Sequence, residues 1–196
     1  MLWQPPPETA GLIFDCDGTL ADTMPVHFRA WTALLNRHGI TFTEKRFYEL
    51  GGMPTARIIR LLGEECGIPV NDVEAMVNEK ESTFLTILHT IEPIRAVYNI
   101  AAAHRGKLPM AVASGGYRRV IEKTLAHINM HDWFGAVVCA EDTPRHKPEP
   151  DVFLEAARRL GLDATKCVVF EDTEIGLEAA RRAGATAVDV RPWYGK

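Results

Sequence analysis

The sequence predicts an α/β protein with a mostly parallel sheet and a small inserted cap of helices. Short, continuously apolar runs recur along the chain, with amphipathic helical patterns between them. Strands buried on both faces have this appearance, and strand–helix alternation implies right-handed crossovers between parallel strands. A long interval with helical patterns but no strand-like run, residues 24–92, predicts the cap. The expected core is therefore a doubly wound, Rossmann-like sheet.

Length and composition limit the class of protein. The chain has 196 residues, the size of one domain or of one domain with a sizeable insertion. Hydrophobic residues make up 46% and charged residues 24%, which is ordinary for a globular protein and excludes a disordered or collagen-like chain. Lys and Arg number 22 against 26 Asp and Glu, a net charge of −4. Nucleic-acid-binding proteins normally carry a basic surplus, so we expect no nucleic-acid partner.

Neither a membrane span nor a secretory signal is predicted. No apolar run approaches the roughly 18 residues that suggest a membrane-spanning helix. The N-terminus, with its proline run at Pro5–Pro7, lacks the basic and apolar regions of a signal peptide. The four cysteines form no CxxC pair, which here indicates free thiols in a reducing compartment. We therefore expect a cytoplasmic protein, and we expect it to be a monomer.

Five apolar runs predict the strands of the sheet. They occupy residues 11–14, 108–113, 136–139, 167–170 and 185–190. Helical patterns follow the second, third and fourth runs, at residues 120–128, 152–160 and 175–183. Gly161 and Gly184 lie just past the last two patterns, where glycine commonly ends a helix.

The cap is predicted from four consecutive helical stretches. They lie around residues 26–38, 43–50, 54–66 and 71–90. Because they follow the first strand directly, we predict a core of residues 1–23 and 93–196 with a helical cap, residues 24–92, inserted between its two parts.

Polar side chains follow the predicted strands. Asp15 and Asp17 come after the first strand, Ser114 after the second, Lys147 in a later loop, and Glu171–Asp172 after the fourth. In an open parallel sheet, ligands bind beyond the carboxyl ends of the strands. Clustered carboxylates repel one another unless a cation lies between them, and oxygen ligands suit a hard ion such as Mg²⁺. A cation, a lysine and backbone donors together suit a phosphoryl group.

These motifs resemble those of the haloacid dehalogenase superfamily. The segment Asp15–Thr19 resembles its DxDGT nucleophile motif, and the serine, the lysine in Lys147–Asp151 and the acidic pair follow in the superfamily's order. The cap position and the segment His27–Trp31 are similar to the β-phosphoglucomutase-like branch. Within that branch the chain is most similar to bacterial fructose-1-phosphate and 6-phosphogluconate phosphatases. The resemblance covers residues 11–190.

The resemblance implies the chemistry of the core residues. Asp15 is the expected nucleophile, which forms an aspartyl-phosphate, and Asp17 is the expected general acid and base. Ser114, the amide of Gly115 and Lys147 are the expected phosphate-binding groups. For Ser114 the alternative is a plain helix N-cap, and for Lys147 it is a solvated loop lysine.

Mg²⁺ is the implied cofactor. Its candidate ligands are Asp15, Asp17 and Asp172, with Glu171 as a ligand or as a residue that supports the ligands. For Asp172 the alternative is again a helix N-cap, and both roles can hold together. Gly18 is expected to let the backbone turn sharply so that amides face the phosphate.

Two cap residues are notable for their place on predicted helices. Lys80 lies near the centre of an apolar stripe that includes Val77 and Phe84. An unpaired buried lysine is costly, so we expect an anionic partner for it, and the alternative is a side chain that extends from the edge of the stripe to solvent. His27 lies among apolar residues of the first cap helix, where the alternative is a hydrogen-bonded core histidine.

In the resembling branch, the positions of Lys80 and His27 face the active site. Lys80 is therefore expected to contact the remote part of the substrate, its hydroxyls or a second anionic group. Arg57 is a further candidate, although the mutase pattern places its arginine two residues earlier than the loop Gly52–Arg57 does.

The sequence predicts a Mg²⁺-dependent phosphatase, a hydrolase that acts on a small sugar phosphate. The first alternative is a β-phosphoglucomutase-type enzyme, which returns the phosphoryl group to another hydroxyl of the sugar. The second is a non-catalytic phosphate-binding module. The acid–base Asp17 argues against that alternative, because binding alone does not require it.

Overall fold

The structure, a computed structural model, describes residues 3–194. Within this range, five parallel strands form one sheet in the order β3-β2-β1-β4-β5. The strands are β1 Gly11–Phe14, β2 Met110–Ala113, β3 Ala136–Val138, β4 Cys167–Glu171 and β5 Thr186–Asp189. The order runs outward from β1 on both sides, so the predicted doubly wound sheet is confirmed, with each predicted strand at its expected place.

Eight α-helices accompany the strands in residues 3–194. They are α1 Met24–Arg37, α2 Glu44–Glu49, α3 Thr55–Cys66, α4 Val73–Thr86, α5 Arg95–His104, α6 Arg118–His127, α7 Asp151–Arg159 and α8 Glu174–Arg182. Short 3₁₀ turns lie at 88–90, 140–142, 164–166 and 191–193. Within the described range, none of these helices combines the length and apolar character needed to cross a membrane.

The apolar runs form strands because helices cover both faces of the sheet. Leu12 and Phe14 of β1 point to the face covered by α5 and α6, whereas Ile13 points to the face covered by α7 and α8. Successive side chains of a strand alternate between faces, so a strand covered on both sides needs apolar residues throughout. The edge strand β5 is the exception, with Thr186 exposed and the rest half-buried.

Helix α5 is absent from the sequence-based assignment. Its buried residues Val97, Ile100, Ala101 and His104 follow the i, i+3, i+4, i+7 spacing of an amphipathic helix. The signal was therefore present in the sequence. The helix completes the core between the end of the cap and β2.

The cap helices α1 to α4 have an apolar cluster of their own. It is built around residues such as Trp31, Leu34, Phe47 and Ile59, all of them buried. The division into a core of 1–23 and 93–196 and a cap of 24–92 stays a prediction.

The two chain segments that join cap and core lie side by side. The amide of Asp22 donates to the carbonyl of Glu92 at 2.9 Å, and the amide of Ile94 donates to the carbonyl of Leu20 at 2.9 Å. The first segment leaves β1 and the second leads into α5. Both connections between the helical cap and the sheet therefore pass through one point.

An aromatic stack at the centre of the sheet provides a test of this packing. Phe14 is fully buried, and its ring stacks on Phe170 of the neighbouring strand with centroids 4.7 Å apart. Phe14→Ala should lower the free energy of unfolding by about 3–5 kcal/mol, because it removes the stack and leaves a cavity. Leu154→Ala on α7, where the leucine is exposed, should change it by less than about 0.5 kcal/mol. Urea denaturation measures both; equal losses would contradict the assigned packing.

Candidate active site

The candidate site lies where the strand order reverses. β1 and β4 are neighbours, and the chain winds away from them in opposite directions. Asp15 directly follows β1, and Glu171 is the last residue of β4. In sheets of this type such a switch point forms a crevice beyond the strand ends, so the topology alone brings these two carboxylates together.

Lys147 joins the two strand ends through charge-assisted hydrogen bonds. Its Nζ lies 2.7 Å from Oδ1 of Asp15 and 2.7 Å from Oε2 of Glu171. Only 2% of Lys147 is exposed, so the alternative of a solvated loop lysine is wrong. The ammonium group also lies over the ring of Phe153, 5.0 Å from its centroid. A buried lysine is tolerated here because two buried carboxylates accept hydrogen bonds from its ammonium group.

Glu171 is held by donors on both of its oxygens. Beyond the bond from Lys147, Oε1 accepts from the hydroxyl of Thr173 at 2.7 Å and from its amide at 3.0 Å. The chain packs closely around this carboxylate, because a Cβ at Gly176 would lie 2.1 Å from its carboxyl carbon. Glu171 is therefore fixed in place and orients Lys147.

Burial and mutual repulsion raise the pKa values of two carboxyl groups in the cluster. Burial raises the pKa of Asp15 to about 8, and the neighbouring Glu171 adds to this rise while Lys147 opposes it. Burial, Glu171 and Asp15 raise the pKa of Asp172 well above its ordinary value. Burial lowers the pKa of Lys147, but Asp15 and Glu171 outweigh it, so the net shift is upward.

These residues fit a divalent cation. Asp15, Glu171 and Asp172 can each offer an oxygen, and the three atoms lie within 4.8 Å of one another. The three carboxylates against the one ammonium group of Lys147 leave two excess negative charges when all are ionised. Since oxygen ligands suit hard cations, the chemistry of the cluster matches a divalent ion of that kind. Asp17 lies outside this group of three, and its part in metal binding stays a prediction.

The turn after β1 packs closely against the carboxylate of Asp172. Gly18 has a φ of +80°, and a Cβ there would lie 2.3 Å from Oδ2 of Asp172. Thr19 donates to the other oxygen of Asp172 at 3.2 Å. The alternative of Asp172 as a helix N-cap is wrong, because Thr173 caps α8 through its hydroxyl. Both the backbone angle and the close approach require glycine at position 18.

Ser114 and Gly115 lie at the end of β2, beside the cluster. Ser114 is almost fully buried, and its Oγ accepts from the amide of Gly116 at 3.0 Å. It does not cap α6, which begins only at Arg118, so that alternative is also wrong. Gly115 touches the cap, since a Cβ there would lie 3.0 Å from the carbonyl oxygen of Gly52. The loop that contains Gly52 therefore lines the same cleft as these two predicted phosphate-binding residues.

His27 links Asp17 to the cap. Its Nε2 lies 3.1 Å from Oδ1 of Asp17, and its Nδ1 lies 2.8 Å from Nζ of Lys80. An ammonium group has only donors, so we assign Nδ1 as the acceptor and place the ring proton on Nε2, which donates to Asp17. The ring also stacks on Phe84, with centroids 4.1 Å apart. His27 therefore holds Asp17 in a defined orientation.

The pKa of Asp17 is shifted downward, whereas the pKa values of Asp15 and Asp172 are shifted upward. Burial raises this pKa, but the influence of His27 and the hydrogen bond from its ring outweigh burial. The pKa of Asp17 consequently ends below its ordinary value. Two carboxyl groups only two residues apart, Asp15 and Asp17, are thus set to different protonation behaviour by their surroundings.

Lys80 has the anionic partner that the sequence predicted. Its Nζ lies 3.2 Å from each oxygen of Glu81, and only 2% of the residue is exposed. The alternative of a side chain that reaches solvent is therefore wrong. Oε1 of Glu81 also accepts from the hydroxyl of Thr55 at 2.7 Å. Both His27 and Lys80 line the cleft between cap and core.

Arg57 does not reach this cleft. Helix α3 directs Thr55 and Ile58 toward it, and Arg57, on another face of the helix, is exposed. A residue two positions from Thr55 is rotated by about 200° around a helix, which explains the difference. The structure thus gives no support to the proposed substrate contact of Arg57.

Sequence reasoning missed three residues of the site. Glu81 was overlooked because adjacent helix residues do not share a face, and no spacing rule signals such a pair. Thr19 belongs to the nucleophile motif but carried no expected contact with Asp172. Tyr194 donates to the carbonyl of Gly18 from the far end of the chain, a contact with no signal in the sequence.

The fold and the cluster define a class: α/β enzymes with an aspartate at the end of the first strand, a buried lysine and an acidic metal site. The comparison with family models is specific within that class. Residues 12–190 match the model described as haloacid dehalogenase-like hydrolase. The chain therefore belongs to the haloacid dehalogenase-like hydrolase family, as the motifs indicated.

Individual relatives agree with this assignment. The chain is 42% identical to fructose-1-phosphate phosphatase YqaB of Escherichia coli, over 93% of this chain and 96% of that protein. It is 30% identical to the phosphorylated carbohydrates phosphatase of Thermotoga maritima, over 88% and 81%. A crystal structure of β-phosphoglucomutase from Clostridium difficile superposes with a TM-score of 0.84 at 21% identity, covering 92% of this chain and 84% of that one. This last likeness concerns the fold.

The raised pKa of Asp15 predicts how the stability of the metal-free protein depends on pH. Its carboxyl group has a pKa of about 8 in the folded protein, against an ordinary value of 3.8. The stabilisation from this bound proton is fully present below about pH 4 and is lost as the pH rises through about 8. In EDTA, wild type should therefore lose stability relative to Asp15→Asn between about pH 5.5 and 8.5.

Urea denaturation of both proteins across this range measures the effect. The expected difference exceeds about 1.4 kcal/mol, the equivalent of one pKa unit. A difference that stays constant or changes sign would show that Asp15 is ionised in the metal-free protein. Saturating Mg²⁺ should remove most of the pH dependence, since a bound cation favours the ionised carboxyl groups.

Proposed function

We propose that the protein is a Mg²⁺-dependent phosphatase that hydrolyses a small sugar phosphate through an aspartyl-phosphate intermediate. The observation that carries the proposal is the pair of aspartates after β1. Asp15 is held by Lys147, whereas Asp17 is held by His27. These different partners support a role in attack for Asp15 and in proton transfer for Asp17. A module that only binds phosphate has no need of this second arrangement.

In the first step, an oxygen of Asp15 attacks phosphorus and the bond from phosphorus to the sugar oxygen breaks. Asp17 gives its proton to the departing oxygen, which leaves as the sugar hydroxyl. In the substrate-free protein the pKa of Asp17 is low, so this carboxyl group is ionised. An approaching phosphate dianion raises the pKa of Asp17 and favours uptake of the required proton.

In the second step, Asp17 takes a proton from a water molecule, whose oxygen attacks the phosphorus of the aspartyl-phosphate. The bond from phosphorus to the oxygen of Asp15 breaks, which releases phosphate and restores the carboxylate. Lys147, beside Asp15, stabilises the charge on the phosphoryl oxygens in both steps. Ser114 and the amide of Gly115 are proposed to donate to the same oxygens.

Asp15 and Asp172 are the proposed protein ligands of Mg²⁺. Glu171 is proposed to support them, because its two oxygens already accept from Lys147 and Thr173. When bound, the ion supplies positive charge that offsets the charge of the phosphoryl group and lets it approach Asp15. Asp17 is better placed for proton transfer than for metal binding, because its Oδ1 faces His27.

The phosphatase reading is favoured over the mutase. The relative with 42% identity carries the name of a fructose-1-phosphate phosphatase, whereas the likeness to β-phosphoglucomutase lies at 21% identity. A mutase must also bind a second phosphoryl group of the sugar, because the sugar reorients in the site between the two transfer steps. Arg57, the candidate from the mutase pattern, is exposed outside the cleft.

Asp15→Asn should abolish turnover of fructose 1-phosphate, with a loss of about three orders of magnitude or more, because the amide is not a nucleophile. Asp132→Asn, which alters an exposed carboxylate paired with Arg105, serves as the matched control and should keep full activity. Released phosphate and isomeric sugar phosphate are measured in the same reaction. Isomer without phosphate would establish the mutase, and an active Asp15→Asn would exclude the covalent mechanism.

Removal of the metal should silence the enzyme. EDTA followed by dialysis should reduce phosphate release to background, and Mg²⁺ should restore it, since the cluster offers only oxygen ligands. In calorimetric titrations, Asp172→Asn should weaken Mg²⁺ binding by at least tenfold, roughly the loss expected for a ligand. Full activity in EDTA, or recovery with Zn²⁺ alone, would show that the metal assignment is wrong.

A further inference from the structure

Glu81 is a buried carboxylate that the proposed chemistry does not use. It lies on α4 with 4% of its surface exposed, and it belongs to neither the metal cluster nor the expected phosphate site. Its oxygens contact Lys80 and Thr55, two residues of the cleft wall formed by the cap. Burying a carboxylate costs free energy unless its partners offset the loss of water, so the partners of Glu81 beside the cleft are informative.

Glu81 engages the charge and the donors of Lys80. An ammonium group has three N–H donors, and Nζ lies within hydrogen-bond distance of three acceptors: both oxygens of Glu81 and Nδ1 of His27. The positive charge is paired with a carboxylate at 3.2 Å. Lys80 therefore has neither a free charge nor a free donor for an anionic group of a substrate.

No other cation compensates on this wall. Among the described residues that line the cleft, Lys80 is the one lysine or arginine. Most of the remaining cap residues on the wall are apolar: Met24, Trp31, Phe47, Leu50, Met53 and Ile58. A second phosphate or a carboxylate on the substrate would lose its water here without meeting an unpaired positive charge.

We propose that Glu81 is a specificity-determining residue. By neutralising Lys80, it makes the cleft select phosphate monoesters whose remote end is uncharged, and it disfavours sugar bisphosphates and phosphorylated sugar acids. This inference rests on the proposed phosphatase function and narrows its substrate class. The sequence-based expectation for Lys80 is contact with the substrate's hydroxyls or with a second anionic group. The inference replaces the second of these with a paired lysine that positions His27.

Fructose 1-phosphate and fructose 1,6-bisphosphate form a suitable substrate pair, because they differ only in the remote phosphate. In wild type, kcat/KM for the monophosphate should exceed that for the bisphosphate by at least about tenfold, since the second phosphate would lose water at this wall without meeting an unpaired positive charge. Glu81→Gln keeps the size and an acceptor for Thr55 but leaves Lys80 with an unpaired charge. It should reduce this preference by about tenfold.

Two further variants separate charge from structure. Glu74→Gln alters an exposed glutamate in the first turn of α4 and should leave the preference unchanged. The double variant Lys80→Met with Glu81→Gln removes both charges and should restore the selectivity of wild type, whatever its absolute rate. Thermal unfolding is measured for each variant. Should Glu81→Gln fail to fold, Met53→Arg adds a cation to the same wall and should lower the preference in its place.

The outcomes distinguish the inference from the proposed function. p-Nitrophenyl phosphate, which has no anionic remote end, reports phosphatase activity by itself. Two outcomes would overturn the role of Glu81 alone, provided that wild type hydrolyses p-nitrophenyl phosphate. In the first, wild type hydrolyses the two fructose phosphates with equal kcat/KM. In the second, folded Glu81→Gln keeps the wild-type preference for the monophosphate. No turnover of any of the three esters by wild type with Mg²⁺ would overturn the phosphatase function and the inference together.

Discussion

The buried contact of Lys147 with Asp15 and Glu171 is the constraint on which the rest of the site depends. It joins a loop to the ends of two neighbouring strands, and each ion pair has a length of 2.7 Å. Removing Lys147 would leave both carboxylates buried without their common cation, which is among the most costly changes in a protein interior. The positions of the loop and of the two strand ends are therefore set by the contacts among Lys147 Nζ, Asp15 Oδ1 and Glu171 Oε2.

Several residue choices follow from that constraint. Thr173 supplies two donors to Glu171, and its hydroxyl also accepts from the amide of Gly176 at the start of α8. Gly176 and Gly18 are needed because the carboxylates of Glu171 and Asp172 occupy the space of a Cβ. A helix start and a sharp turn thus serve one purpose, which is to surround a dense group of carboxylates with donors and backbone.

The sequence predicted most of the fold because the sheet is buried on both faces. Continuous apolar runs leave little choice of structure, and parallel topology then places Asp15 and Glu171 at one edge of the sheet. Contacts made by side-chain direction were harder to predict. Arg57 lies only two residues from Thr55, yet one faces solvent and the other the cleft. The partner of Lys80 proved to be its own neighbour on the helix, a contact that rotamers decide and periodicity does not.

The cap and the core differ in how the charged side chains that face the cleft are paired. The core cluster has three carboxyl groups against the one ammonium group of Lys147, so it fits a divalent cation, whose charge would offset that of a phosphoryl group. The cap wall carries a lysine whose charge is already paired by Glu81. His27 connects the two regions, because its ring touches Asp17 on one side and Lys80 on the other. Gly52 also approaches Gly115, since a Cβ at Gly115 would lie 3.0 Å from the carbonyl oxygen of Gly52. The proposed acid–base residue is consequently linked to α1 and α4 through one histidine ring.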